Sequence, residues 1–361
     1  MKSESLKYIN TEKWKAILDT AVSDGAFPCY AAAVGCGDEV FFRAIGGNRA
    51  IFPKPLPLTE DTLFDMASLS KLMGTTMAAL RLIDQGKLRL TDRVGDFFEN
   101  AYGKEDITIF QLMTHTSGIT SFFHMWKMNI DPRDAAKVIL ERPLAAPTGT
   151  TVIYSCMGYI LLGRILEKIC GEPLDKIVQR LVLDPLGMKD TCYCPAEGRM
   201  CVFTEKEKTS DDYICGHVHD ENAHSIGGVS GNAGLFSTLD DCIKFASLLS
   251  RRAEGFLEKS TFELAVTDHT EGISDSARGL GFHMFREAIY PGGKNMSRGS
   301  YGHSGFTGTY IYVDRDTGIY CILLSNRVHF GRDTEPFFAH KQKFFDTVFH
   351  GHEPHLILQS V

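Results

Sequence analysis

The sequence predicts a mixed α/β (α+β) protein in which an antiparallel sheet flanked by helices is built from both ends of the chain, with a mostly helical segment inserted between. Three observations carry this. Strand-like runs at 29–34 and 40–45 lie near one end, and two more, at 305–313 and 319–325, lie near the other. Most of the chain between them is apolar at helical spacing. The expected units are 1–66 together with 237–361 for the sheet, and 67–236 for the helical part.

Taken in order, residues 11–24 read as an amphipathic helix, with Trp14, Ile17, Leu18 and Val22 on one face and Gly25 beyond its end. The two strands that follow are separated by Gly35-Cys36-Gly37-Asp38, a hairpin signal. Pro53, Pro55 and Pro57 mark an irregular connection into a helix from Ser68 to about Gln85, which Gly86 closes. Thr108 can cap a short helix ending before Gly118, and His115 at its end reads as a histidine making backbone contacts. Residues 119–130 carry Phe122, Phe123, Trp126 and Met128, which suit either plain core or the wall of an apolar pocket. Asp131-Pro132 starts a helix that stops before Pro143, Ser155 can cap another running to Cys170, and 174–182 is a further one. The stretch 189–235 is loop-rich. A helix over 237–250 is capped by Ser237 or Thr238, and a closing helix with Phe337, Phe338, Phe344, Phe345 and Val348 can cover the sheet.

Composition narrows the function. With 361 residues, 43% hydrophobic and 23% charged, the chain can bury a substantial core. Its net charge of −7 gives no footprint for nucleic acid or an anionic membrane. Met1–Ile9 lacks the apolar run of a signal peptide and no later run could span a bilayer, so a cytoplasmic location and reduced cysteines are expected. Cys192, Cys194, Cys201, Cys215, His217 and His219 crowd together, but without a Cys-x-x-Cys pair they read as ordinary thiols and site wall or turn rather than a zinc site, and no metal or cofactor is expected.

The chemistry centres on Ser68-Leu69-Ser70-Lys71. A serine followed three positions later by a lysine on a helix puts hydroxyl and amine on one face. Serine is a weak nucleophile until a base takes its proton, and lysine can be that base only if its pKa is lowered, which a buried helix start favours. Tyr154 stands just before the helix capped by Ser155, where a phenol can face a cleft or simply sit in the core.

Read together, three stretches resemble the penicillin-recognising serine hydrolases, the superfamily of class C β-lactamases, D-Ala-D-Ala peptidases and related esterases. They are Ser68-Leu69-Ser70-Lys71, Tyr154-Ser155-Cys156 where class C enzymes carry Tyr-x-Asn, and His303-Ser304-Gly305 where they carry Lys-Thr-Gly. The phrases at 112–118, 184–188 and 234–238 extend the resemblance over nearly the whole chain. It implies a class C β-lactamase-like fold with the active site between sheet and helical parts. It also implies Ser68 as the acylated nucleophile, Lys71 and Tyr154 as the proton-handling pair with either as base, and an oxyanion hole from the Ser68 and Phe306 N–H groups.

Two departures bear on the substrate. Cys156 is a poor hydrogen-bonding replacement for an amide, and His303 is mostly neutral where the family's lysine helps bind a carboxylate. Both favour ester or small acyl-group hydrolysis, or transacylation, over β-lactam or D-Ala-D-Ala substrates. The substrate-binding set expected is Cys156, His303, Ser304, Gly305, Phe122 and Trp126, with a small acyl compound as the partner.

Overall fold

The computed structural model describes residues 10–207, 210–286, 292–333 and 335–349. The expectation about Met1–Ile9 lies outside them. Ten strands occur among the described residues: β1 (Cys29–Cys36), β2 (Glu39–Ala50), β3 (Leu56–Pro57), β4 (Phe64–Asp65), β5 (Cys192–Tyr193), β6 (Leu235–Ser237), β7 (His283–Met284), β8 (Tyr301–Gly305), β9 (Thr309–Val313) and β10 (Ile319–Ser325). Seven form one antiparallel sheet in the order β3-β2-β1-β10-β9-β8-β7, and β4-β6-β5 form a small second one. At the centre of the large sheet the first strand lies against the last, with Tyr30 opposite Ser325 and Cys36 opposite Ile319. The architecture is the mixed, mostly antiparallel one that the sequence predicts.

One face of this sheet is covered by α1 (Thr11–Ser23) and the closing helix (Glu335–Val348), which bury Trp14, Phe42, Tyr310, Phe344 and Phe345 in one apolar cluster. The Asn10 carboxamide caps α1 by accepting from the Lys13 N–H at 2.9 Å. On the other face a larger cluster runs without a break from sheet residues such as Ala31 and Ile322 into helical ones such as Leu72, Leu162 and Leu249. It buries α2 (Lys71–Thr76 as a π-helix, continuing as the α-helix Met77–Asp84), α3 (Cys156–Cys170) and α4 (Leu239–Ser250). Ser155 caps α3 by accepting from Gly158 N–H at 2.8 Å, and Gly171 ends it at φ +69°. Thr238, not Ser237, caps α4, because Ser237 is committed to β6.

The structure differs from expectation where a helix or strand is locally re-registered. The helix expected from Ser68 begins with three i→i−3 hydrogen bonds, at Leu69, Ser70 and Lys71, and then widens into the π turn. The run 305–313, read as one strand, is two: a tight turn at 306–308 separates β8 from β9, because Gly308 sits at φ +108°, which strands exclude. Within the loop-rich 189–235 segment lie β5, a short helix, Glu221–Ser225, and the first residue of β6. No helix among the described residues is long and apolar enough to cross a membrane.

Candidate active site

The site is assembled where β4 hands the chain to α2. Asp65, buried at the end of β4, accepts from the Ala67 N–H at 2.8 Å and from the His219 N–H at 2.7 Å. The first bond pins Ala67 at φ +45°, a left-handed conformation costly for a residue with a Cβ, and so sets the bend that delivers Ser68. Ser68 is half-buried. One turn on, the fully buried Lys71 Nζ lies 3.0 Å from Ser68 Oγ and 2.9 Å from the Asn232 carbonyl oxygen. The Asn232 loop is itself fixed, since Thr75 Oγ donates to the neighbouring Gly231 carbonyl at 2.8 Å.

Tyr154 closes the triangle. Lys71 Nζ stands 5.0 Å from the centre of its ring, and its hydroxyl is buried. Burial alone would strip the charge from Lys71, but Cys156 and Tyr154 pull the other way and prevail, so the ammonium is held above the usual lysine range. This reverses the lowered pKa expected from a buried helix start. The expectation counted burial and left out the neighbours that Tyr154-Ser155-Cys156 brings to the amine.

The edge strand β8 forms the opposite wall. Gly305 packs against the backbone just before the nucleophile so closely that a Cβ there would fall 2.4 Å from the Met66 carbonyl oxygen. This brings the turn beginning at Phe306 up to Ser68. The Phe306 ring is 44% exposed and stacks on His219. His303, buried on β8, takes the Ser304 N–H on Nδ1 at 2.9 Å and stacks on His283 at 4.1 Å. Its pKa is driven well below the ordinary histidine value, first by burial and then by Lys71 and Arg278. A neutral imidazole therefore occupies the position.

His115 also joins the site's rear wall: it sits at φ +60°, accepts from the Ser155 N–H at 3.0 Å and packs its ring 4.6 Å from that of Tyr154. The backbone contact expected for it is therefore made to the tyrosine motif itself. Phe122 is exposed, and Trp126 is half-buried with its backbone N–H donating to Asn222 Oδ1 at 3.1 Å. Their segment adjoins the motif, for Ser121 accepts from the Cys156 N–H at 3.0 Å. The cysteines are free thiols, and no set of three or more His, Cys, Asp or Glu among the described residues is arranged to hold a metal. His219 instead bonds Glu205 at 2.8 Å.

Sequence reasoning missed two contributors. Arg278 places its guanidinium carbon 5.2 Å from the Tyr154 ring centre, and Asn232 supplies the Lys71 acceptor through its backbone, which no side-chain motif announces. The Arg278 signal was the glycine-bracketed Arg278-Gly279-Leu280-Gly281 ahead of β7, where small residues permit close packing.

Comparison with known proteins identifies the family and the fold. An N-acetylmuramyl-L-alanine amidase of Bacillus subtilis (strain 168) is 30% identical over 311 residues, covering 76% of this chain and 70% of that protein. Among solved structures, EstCE1, a hydrolase with promiscuous acyltransferase activity, superposes with a TM-score of 0.78 at 19% identity over 94% of this chain and 98% of its own. The octameric penicillin-binding protein homologue from Pyrococcus abyssi gives 0.73 at 20% identity, over 97% and 79%. A family model described as Beta-lactamase matches residues 14–342, and the chain accordingly belongs to the Beta-lactamase family of serine hydrolases.

Proposed function

We propose that the protein is a serine acyl hydrolase that works through a covalent acyl-enzyme on Ser68, acting on an ester or other small acyl compound and able to pass the acyl group to water or another acceptor. The observation that carries this reading is the 3.0 Å contact of a buried Lys71 ammonium with Ser68 Oγ beside the Tyr154 ring. An ammonium whose protons go to Ser68 and Asn232 cannot also accept one, so in this reading the base is Tyr154, which must shed its own proton before it can take that of Ser68. The Ser68 proton passes to Tyr154 Oη as Oγ bonds to the substrate carbonyl carbon. The N–H groups of Ser68 and Phe306 hold the resulting oxyanion. Tyr154 returns the proton to the leaving oxygen as the carbon–oxygen bond breaks. Water then attacks the acyl-enzyme, giving its proton to Tyr154, and Ser68 regains one on release.

In this reading 67–236 supplies Ser68, Lys71 and Tyr154, and 237–361 supplies His303, Ser304, Gly305 and the Phe306 N–H, so substrate lies between them. The neutral His303 and the thiol of Cys156 favour esters over carboxylate-bearing lactams. A second reading, cleavage of an amide in a peptidoglycan-like substrate, draws on the name of the amidase relative. Intact-protein mass spectrometry after brief exposure to a p-nitrophenyl acyl ester, and separately to a cephalosporin, separates ester from lactam turnover, and release of L-alanine from an N-acetylmuramyl-L-alanine probe tests the second reading. An acyl adduct on the wild type that is lost in Ser68→Ala, with ester turnover far above lactam turnover, is the expected result. Normal turnover by folded Ser68→Ala would overturn the mechanism.

A further inference from the structure

The turn between β8 and β9 is held from both sides by side chains outside the motifs. It closes on itself through the Gly308 N–H and the Gly305 carbonyl at 3.0 Å. On the nucleophile's side, Thr307 Oγ donates to the Asp65 carbonyl at 2.7 Å, and Thr309 Oγ donates to the Met66 carbonyl at 3.1 Å. Those two carbonyls belong to the backbone that bends into Ser68. On the far side stands Arg327, only 8% exposed, just beyond β10. Its Nε–H donates to the Phe306 carbonyl at 2.6 Å, its backbone N–H donates to the Thr307 carbonyl at 2.9 Å, and its guanidinium carbon lies 4.4 Å from the Phe306 ring centre.

The peptide before Phe306 carries the N–H assigned to the oxyanion hole, and the peptide after it carries the carbonyl that Arg327 grips. Fixing the second limits rotation of the first, because only the two soft dihedrals of Phe306 separate them. A buried cation is a costly anchor, and here it is aimed at the residue whose orientation matters. A Cβ on Gly308 would lie 2.5 Å from Ser325 Oγ, so the turn has little room to shift as a body.

We infer that Arg327 and Thr307 are positioning residues that clamp the β8–β9 turn so that the Phe306 N–H is aimed at the developing oxyanion; this rests on the acyl-enzyme reading above. Removing an oxyanion donor outright costs about a hundredfold to a thousandfold in kcat. Letting one drift should cost roughly tenfold to a hundredfold.

The test compares wild type, Arg327→Met and Thr307→Val on a p-nitrophenyl acyl ester and on its thiono analogue, in which sulfur replaces the carbonyl oxygen. A hole built for oxygen discriminates against sulfur, and a general loss of structure would slow both substrates alike. The expected result is a fall in kcat with KM within about threefold, and an ester-to-thionoester rate ratio well below that of wild type in each variant. Arg327→Lys, which keeps a cationic donor, should recover part of the ratio. Valine has the shape of threonine, so Thr307→Val carries the test if Arg327→Met does not fold. An unchanged ratio in the folded variants overturns the clamp even if kcat falls. A wild type that forms no acyl adduct overturns the acyl-enzyme reading and the clamp together.

Discussion

At position 303 a buried imidazole stands where the resemblance to class C β-lactamases implies a lysine, and at position 156 a thiol stands where it implies an amide. Restoring both, as Cys156→Asn with His303→Lys, should shift the ratio of cephalosporin to ester turnover towards the lactam, measured by absorbance; no shift would mean that substrate preference is set elsewhere. Tyr154→Phe should lower kcat/KM by roughly a hundredfold to ten-thousandfold on an alkyl ester. The loss should be smaller on a p-nitrophenyl ester, whose leaving group departs without a proton. Equal losses on both would remove Tyr154 from the acid role. Ser68, Lys71 and Tyr154 could be named as candidates because each stands in a short pattern, and the structure places them side by side. The Asn232 carbonyl and the Arg278 guanidinium could not, since one is a backbone group and the other reaches Tyr154 only through the folding of distant segments. The Lys71 pKa also depends on such neighbours, which is why local reasoning gave its direction wrongly.

Among elements, helix ends were legible because capping is local: Thr108 and Ser155 each accept an N–H from three residues along the chain. Internal register was not. The π turn Lys71–Thr76 is a tertiary accommodation, since it packs wholly buried against the loop at 230–235. That loop meets α3 where Gly163 and Gly231 touch: a Cβ on Gly231 would fall 2.0 Å from the Tyr159 carbonyl oxygen. Gly231→Ala should therefore cost roughly 1–3 kcal/mol of stability, as overpacking does, and should also lower kcat by displacing the Asn232 carbonyl from Lys71. Thermal melting and steady-state kinetics read the two effects, and an unaltered melting temperature would show that the contact yields.

For the molecule as a whole, the sheet-from-both-ends plan was readable because its strands lie in two clusters far apart in sequence, whereas the pairing order was not written in any one of them. The core also holds a pH liability. Burial, as the leading cause, depresses the pKa values of His115, His283 and His303 well below the ordinary value. An unfolded chain therefore binds protons below about pH 6.5 that the folded one refuses, and stability present above that pH is lost as pH falls. Each histidine contributes a slope of about 1.4 kcal/mol per pH unit below that point. Melting temperature should fall steeply from pH 7 to pH 5, and a flat profile would mean that these rings are protonated in the native state.

The pairing of β1 with β10 has a consequence in time. A ribosome makes β1 about 280 residues before its central partner. At common elongation rates of about 5–20 residues per second, that is an interval of roughly 15–60 s. For that long the β1–β2 hairpin presents a strand edge with nothing to pair with, the kind of surface that aggregates or recruits chaperones. The final strands close both the sheet and the wall facing Ser68, so a nascent chain should acquire acylation by an ester probe only after β10 has emerged.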